Sequence, residues 1–259
     1  MQKELAAFGR LVEIMDELRN KCPWDKKQTI ETLRTLTIEE TYELADAIIK
    51  NDMQELKKEL GDLLLHIVFY AKIGSEKNAF TLSDVIEGIN KKLVRRHPHV
   101  FGDTEVKDSK EVEENWESIK LREKDRKKAV LSGVPDSLPA LVKANRIQQK
   151  VRGVGFDWEE RTQIWEKVKE ELNELEHEVE TEDYDNIEAE FGDLFFSLIN
   201  AARLYDIDPE TALERTNKKF IKRFNYLEEQ TLTKGLSLKD MSLDEMNEIW
   251  EKAKEFDEE

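Results

Sequence analysis

The chain has 259 residues, of which 58 are Asp or Glu and 41 are Lys or Arg, giving a formal net charge of −17. That balance repels nucleic acid and anionic membrane surfaces, so neither is expected as a partner. Charged residues at 38% beside hydrophobic ones at 39%, with ten glycines and five prolines, favour a helical globular chain over a disordered one, in one large or two ordinary domains.

The first segment, MQKELAAFGRLVEIMDELR, is amphipathic and charged, unlike a secretory signal. No apolar run approaches the roughly 20 residues that span a bilayer, so a cytoplasmic protein is expected. Cys22, the one cysteine, cannot close an internal disulfide and lacks the neighbours of a thiolate zinc site. It reads as a small half-buried residue before Pro23.

Apolar residues then recur at helical spacing, first at Leu36, Tyr42, Leu44 and Ile48, then at Leu56, Leu60, Leu63, Leu64, Ile67 and Val68. The KND turn at 50–52 joins the two predicted helices as a hairpin. Residues three apart on a helix share a face, so Glu40 pairs with Glu43 on the first helix and Glu59 with Asp62 on the second. Facing each other, the helices bring four carboxylates together. Gly61 interrupts the second helix at a cost of about 1 kcal/mol relative to alanine, which predicts close packing of a neighbouring helix or a ligand there.

Downstream, NKKLVRR at 90–96 sets Lys92 with Arg95 or Arg96 on one helical face. His97 and His99 flank Pro98 and read as a turn after that basic helix. WESIK at 116–120 places Trp116 four residues before Lys120, a ring that can stack on a base beside a cation that can meet phosphate.

The stretch AVLSGVPDSLPAL at 129–141 breaks the helical pattern, and beyond it the chain repeats itself. At an offset of 131 residues, Glu39, Glu40, Glu43, Glu59 and Asp62 become Glu170, Glu171, Glu174, Glu190 and Asp193, and Gly61 becomes Gly192. NKKLVRR returns as NKKFIKR at 217–223, carrying Lys219 and Arg223, and WESIK returns as WEKAK at 250–254, carrying Trp250 and Lys254. The expected organisation is a domain at 1–128, a linker at 129–141 and a domain at 142–259, both all-α helical bundles.

Converging carboxylates repel one another unless a cation neutralises them, and hard oxygen donors suit Mg²⁺, with Mn²⁺ as a substitute. A repeated basic cluster in an otherwise acidic chain is what a polyphosphate requires. Metal, cations and a stacking ring together point to a nucleotide.

The ordered set EETYE with ELGD, and EELNE with EFGD, resembles the pattern of the MazG nucleoside triphosphate pyrophosphohydrolases. CPWDKKQT at 22–29, RRHPHVFGD at 95–103 and GVPDSLPAL at 133–141 are similar to segments of the two-domain bacterial members, so the resemblance covers essentially the whole chain. It implies tandem MazG-type bundles, usually in a homodimer. It also implies Mg²⁺-dependent hydrolysis of nucleoside triphosphates, by water attack at the α-phosphorus, to monophosphate and pyrophosphate. The family's metal and catalytic acids fall on Glu171, Glu174, Glu190 and Asp193, with Glu40, Glu43, Glu59 and Asp62 as their counterparts. Its substrate contacts fall on Lys167, Lys219, Arg223, Trp250 and Lys254, and in the first copy on Lys92, Arg96, Trp116 and Lys120. Lys167 has Leu36 as its counterpart, which favours the second copy as the stronger catalyst.

Two other readings compete. A carboxylate oxidase needs two Glu-x-x-His motifs, whereas Glu174 with His177 is a single instance, and His177 reads as a surface residue. An acidic helical interaction or dimerisation module, with at most one active site, is the non-catalytic alternative.

Overall fold

The structure, a computed structural model, describes residues 1–108, 111–112, 115–116, 119, 129–233 and 235–255. The chain divides into two compact units, Met1–Trp116 and Glu117–Glu259. Among the described residues both units are built from helices, without strands.

The first unit contains α1 (Gln2–Lys21), α2 (Pro23–Lys27), α3 (Ile30–Lys50), α4 (Met53–Glu76), α5 (Leu82–Arg96) and α6 (Pro98–Phe101). Local chemistry sets the boundaries. Thr29 and Thr32 form a reciprocal cap at the start of α3, Asp52 accepts from the Gln54 and Glu55 amides at the start of α4, and Thr81 with Asp84 caps α5. Between α3 and α4 the chain turns at Asn51, whose left-handed φ of 55° suits an Asn side chain. Met15, Leu33, Val68, Phe69 and Ile73 form the core, with Phe8, Leu11, Leu36 and Leu65 packed against it. Arg19 ties three helices around that core: its guanidinium pairs with Glu76, donates to the Asp25 and Gln28 carbonyls, and lies 5.8 Å from the Phe69 ring centroid. Cys22 is half-buried as expected, and His97 closes α5 and leads into the short helix α6, where a loop turn was expected.

The second unit contains a 3₁₀ turn (Val130–Gly133), α7 (Ala140–Arg152), α8 (Gln163–Thr181), α9 (Tyr184–Leu204), α10 (Pro209–Thr233), a second 3₁₀ turn (Leu238–Asp240) and α11 (Leu243–Lys254). Ile164, Leu175, Ile199, Ala201, Leu227, Ile249 and Ala253 are buried. The duplication shows in the helix ends themselves. At the offset of 131, the ends of α1 and α3 coincide with those of α7 and α8, and the start of α4 coincides with that of α9. The starts of α5 and α10 differ by 127, because α9 is three residues shorter than α4 and its loop one residue shorter. The proline-containing stretch before α7 is held to that helix, since Lys143 Nζ donates to the Asp136 carbonyl at 2.7 Å and Lys150 Nζ to the Val130 carbonyl at 3.3 Å.

One expectation needs correction. Nothing stands within 4 Å of where a Cβ would lie on Gly61 or Gly192, so no neighbouring helix among the described residues packs on either. At Gly74, by contrast, a Cβ would meet the Phe80 ring at 2.7 Å. The helical apolar pattern also serves more than the internal core, because Tyr42, Ile48, Leu60, Leu64 and Ile67 are exposed while Val68 and Leu36 pack inward.

Candidate active site

Each unit places its acids on the two facing helices of a hairpin. In the first, Glu40 and Glu43 project from α3 and Glu59 from α4, and one carboxylate oxygen from each lies within 4.8 Å of the others. In the second, Glu171 and Glu174 on α8 and Glu190 on α9 form the equivalent triad within the same limit. Asp62 and Asp193, one turn further along, fall outside those triads, yet each is near enough for its charge to act on Glu40 or Glu190.

Charge is crowded in both clusters. Partial burial, the approach of Glu59 and the charges of Asp62 and Glu43 raise the Glu40 carboxyl above its ordinary range. Burial, followed by repulsion from Glu174, Asp193 and Glu171, raises Glu190 in the same way. Glu59 is lowered instead, chiefly because Lys58 Nζ donates to its Oε1 at 2.9 Å, which outweighs the effect of burial. Lys58 also meets Glu55 at 2.8 Å. In the second unit Lys167 Nζ lies 2.6 Å from Glu171 Oε1 and 2.8 Å from Glu170 Oε1, and these partners raise its pKa.

A buried acceptor without a donor is costly, and each cluster contains one. Glu59 Oε2 and Glu190 Oε2 are both buried without a hydrogen-bond partner, at equivalent positions on α4 and α9. Oxygen donors from two helices, with one open acceptor in each set, fit a hard divalent cation.

The other predicted residues occupy separate places. Lys92, Arg95 and Arg96 lie on α5, and Lys219 and Arg223 on α10. Arg223 stands over the Trp250 ring, 5.6 Å from its centroid, and Trp250 tilts against Phe220 at 4.9 Å. Lys254 is paired with Glu251. Trp116 lies 5.8 Å from the His97 ring, and Lys120 falls outside the described residues. His177 is exposed.

Two nearby residues escaped the sequence reading. Lys58 carried no signal, because sequence neighbours on a helix do not normally face one another. His66 is buried one turn beyond Asp62, with Nδ1 lacking a partner, where the second unit has Ser197. Burial lowers its pKa against the opposing influence of Asp62.

The family model described as the MazG nucleotide pyrophosphohydrolase domain matches residues 28–101 and again 159–227, enclosing the acid triad in each unit. The chain belongs to the MazG family. It is 46% identical over 254 residues to the nucleoside triphosphate pyrophosphohydrolase/pyrophosphatase MazG of Thermotoga maritima, covering 97% of each chain. It is 42% identical to the nucleoside triphosphate pyrophosphohydrolase of Escherichia coli K12, over 95% of this chain and 97% of that one. The Bacillus subtilis protein YabN is 49% identical over 96% of this chain, which spans 52% of YabN. The two MazG matches correspond to the two all-α hairpins and their acids. Among the described residues no helix is long and apolar enough to cross a membrane.

Proposed function

We propose that this MazG-family chain hydrolyses nucleoside triphosphates and their deoxy forms to monophosphate and pyrophosphate, with Mg²⁺ held by the repeated acids. The observation that carries the reading is the triad built twice, each with a buried carboxylate oxygen left without a donor. The organisation is two MazG-type domains at 1–128 and 142–259, joined through 129–141. Glu40, Glu43, Glu59 and Asp62 hold metal in the first, and Glu171, Glu174, Glu190 and Asp193 in the second. When bound, Mg²⁺ neutralises triphosphate charge and makes a water more acidic; Mn²⁺ supplies the same chemistry.

The chain's own groups then have separable tasks. Glu40 or Glu171 accepts the proton of the attacking water, whose oxygen joins the α-phosphorus as pyrophosphate leaves. Lys219 and Arg223 meet phosphate oxygens, and Trp250, which lies under Arg223 and tilts against Phe220, receives the base. Lys167 and Lys254 complete that set. Lys92, Arg95, Arg96, Trp116 and Lys120 are the counterparts in the first domain. The acidic surface keeps nucleic acid and anionic membranes away, in keeping with a cytoplasmic enzyme.

The exposed apolar residues on the hairpins, including Leu60, Leu64 and Ile67 on α4 and Phe191, Phe195 and Leu198 on α9, support a homodimer closed over these faces. Chelation tests the metal. Turnover of nucleoside triphosphate lost with chelator and restored by Mg²⁺ supports the reading, and turnover unaffected by chelator refutes it.

A further inference from the structure

The two triads are equivalent in sequence but opposite in construction. In the first, the carboxylate most enclosed by protein is Glu59, on the second helix of the hairpin, with 0% exposure; in the second it is Glu171, on the first helix, with 6%. Their counterparts, Glu190 and Glu40, are each partly exposed. In both units the enclosed carboxylate is the one a lysine holds, Lys58 at 2.9 Å and Lys167 at 2.6 Å. Neither lysine is duplicated: Lys58 corresponds to Ala189 and Lys167 to Leu36.

We infer that Lys58 is the resident cation of the first acid cluster, taking from the second helix of its hairpin the place that Lys167 takes from the first helix in the second unit, and holding Glu59 until a divalent cation replaces it. This rests on the proposed metal role of the triads. Lys58 is therefore a positioning residue for the first site, and the first unit lacks a lysine at position 36 without lacking a cation.

The chemistry follows from enclosure. A carboxylate as buried as Glu59 carries its charge at a heavy cost unless a cation stands beside it. Lys58 supplies one from a flexible stem whose side chain is 58% exposed, so it can swing into solvent when a metal arrives. Its Nζ occupies Oε1 and leaves Oε2 open. Solvent at the exposed lysine screens part of the attraction, and the pair's value depends on whether the metal is present. The lysine matters most to the metal-free protein and least to the loaded one.

The test uses the full chain carrying Glu174→Gln, which confines metal binding to the first unit, with Lys58→Met and Lys58→Arg added separately. Thermal unfolding is followed in chelator and in saturating Mn²⁺, and Mn²⁺ affinity is read by electron paramagnetic resonance. Lys58→Met is expected to lower the midpoint in chelator by roughly 3 °C or more, and Mn²⁺ to abolish the deficit. Mn²⁺ affinity rises roughly fivefold, because a competing charge has gone. Lys58→Arg restores the parent's behaviour in chelator. An equal deficit with and without Mn²⁺ would assign Lys58 to packing alone, and no deficit in chelator would make it an idle surface pair; either overturns the inference while leaving the metal site standing. Failure of the parent to bind Mn²⁺ would remove the site itself, and the inference with it.

Discussion

Glu59 and Glu190 stand 131 residues apart in sequence and at the same position on their respective hairpins, each with a buried Oε2 that no donor reaches. Two helices that separately bury the same unsatisfied acceptor retain a costly feature twice, as a ligand site does and a scaffold need not.

Glu43 and Glu174 are the exposed members of their triads, so substitution there removes an oxygen donor with little effect on folding. Glu43→Gln and Glu174→Gln are each expected to silence one site, and the double variant to lose about 100-fold or more of total turnover. The change in unfolding free energy should stay within about 0.5 kcal/mol, as for other surface replacements. Steady-state rates with urea melts of the same preparations check both halves. Full turnover in the double variant would remove the assignment of these acids.

The turn between α8 and α9 places Glu182 at a left-handed φ of 57°, where the equivalent turn has Asn51 at 55°. Glutamate adopts that region less readily than asparagine or glycine. Glu182→Asn is expected to stabilise the protein by about 0.5 kcal/mol, and Asn51→Glu to destabilise it similarly, measured by denaturant unfolding.

Arg203 is buried in the second unit, pairing with Asp157 and donating to Asn200 Oδ1 at 3.0 Å. Burial alone would raise the Asp157 carboxyl, but hydrogen bonding and charge from Arg203, with Arg152 nearby, hold it below its ordinary value. A depressed folded value contributes stability that is complete above the unfolded pKa of about 4 and is lost as pH falls through the folded value. Arg203→Met should therefore cost about 2–3 kcal/mol at pH 7, the deficit narrowing below about pH 4. Urea melts of both proteins at a series of pH values give the comparison.

Leu64 and Ile67 on α4 are exposed apolar residues on the hairpin that carries the first triad. If a second copy covers them, Leu64→Glu with Ile67→Glu should convert the dimer to a monomer in light scattering, while the isolated chain, in which both side chains are already about half-exposed, keeps its helical circular dichroism. A parent protein that is already monomeric would contradict the dimer.

Much of this was legible in the sequence because duplication doubles every signal. The shared offset of 131 carries five acids, and it also carries the observed helix ends. The helical period of Leu56 to Val68 identified α4 correctly, but a period cannot say which apolar stripe is covered by the same chain: Val68 faces the core, whereas Leu60, Leu64 and Ile67 face outward. The helix packing expected at Gly61 failed for the same reason, since no described residue fills the space beside it. Lys58 was hidden by a different limit. Its pairing with the adjacent Glu59 depends on how far a long side chain bends back across the helix surface, which spacing rules for residues three or four apart do not describe.

Hydrolysis in ¹⁸O-labelled water, with the products separated and weighed, tests the central claim most directly. The account predicts nucleoside monophosphate carrying one ¹⁸O and unlabelled pyrophosphate, formed only with divalent metal and lost in the Glu43→Gln, Glu174→Gln double variant. Label in pyrophosphate would move the attack to the β-phosphorus, and nucleoside diphosphate with labelled phosphate would contradict the proposed reaction altogether.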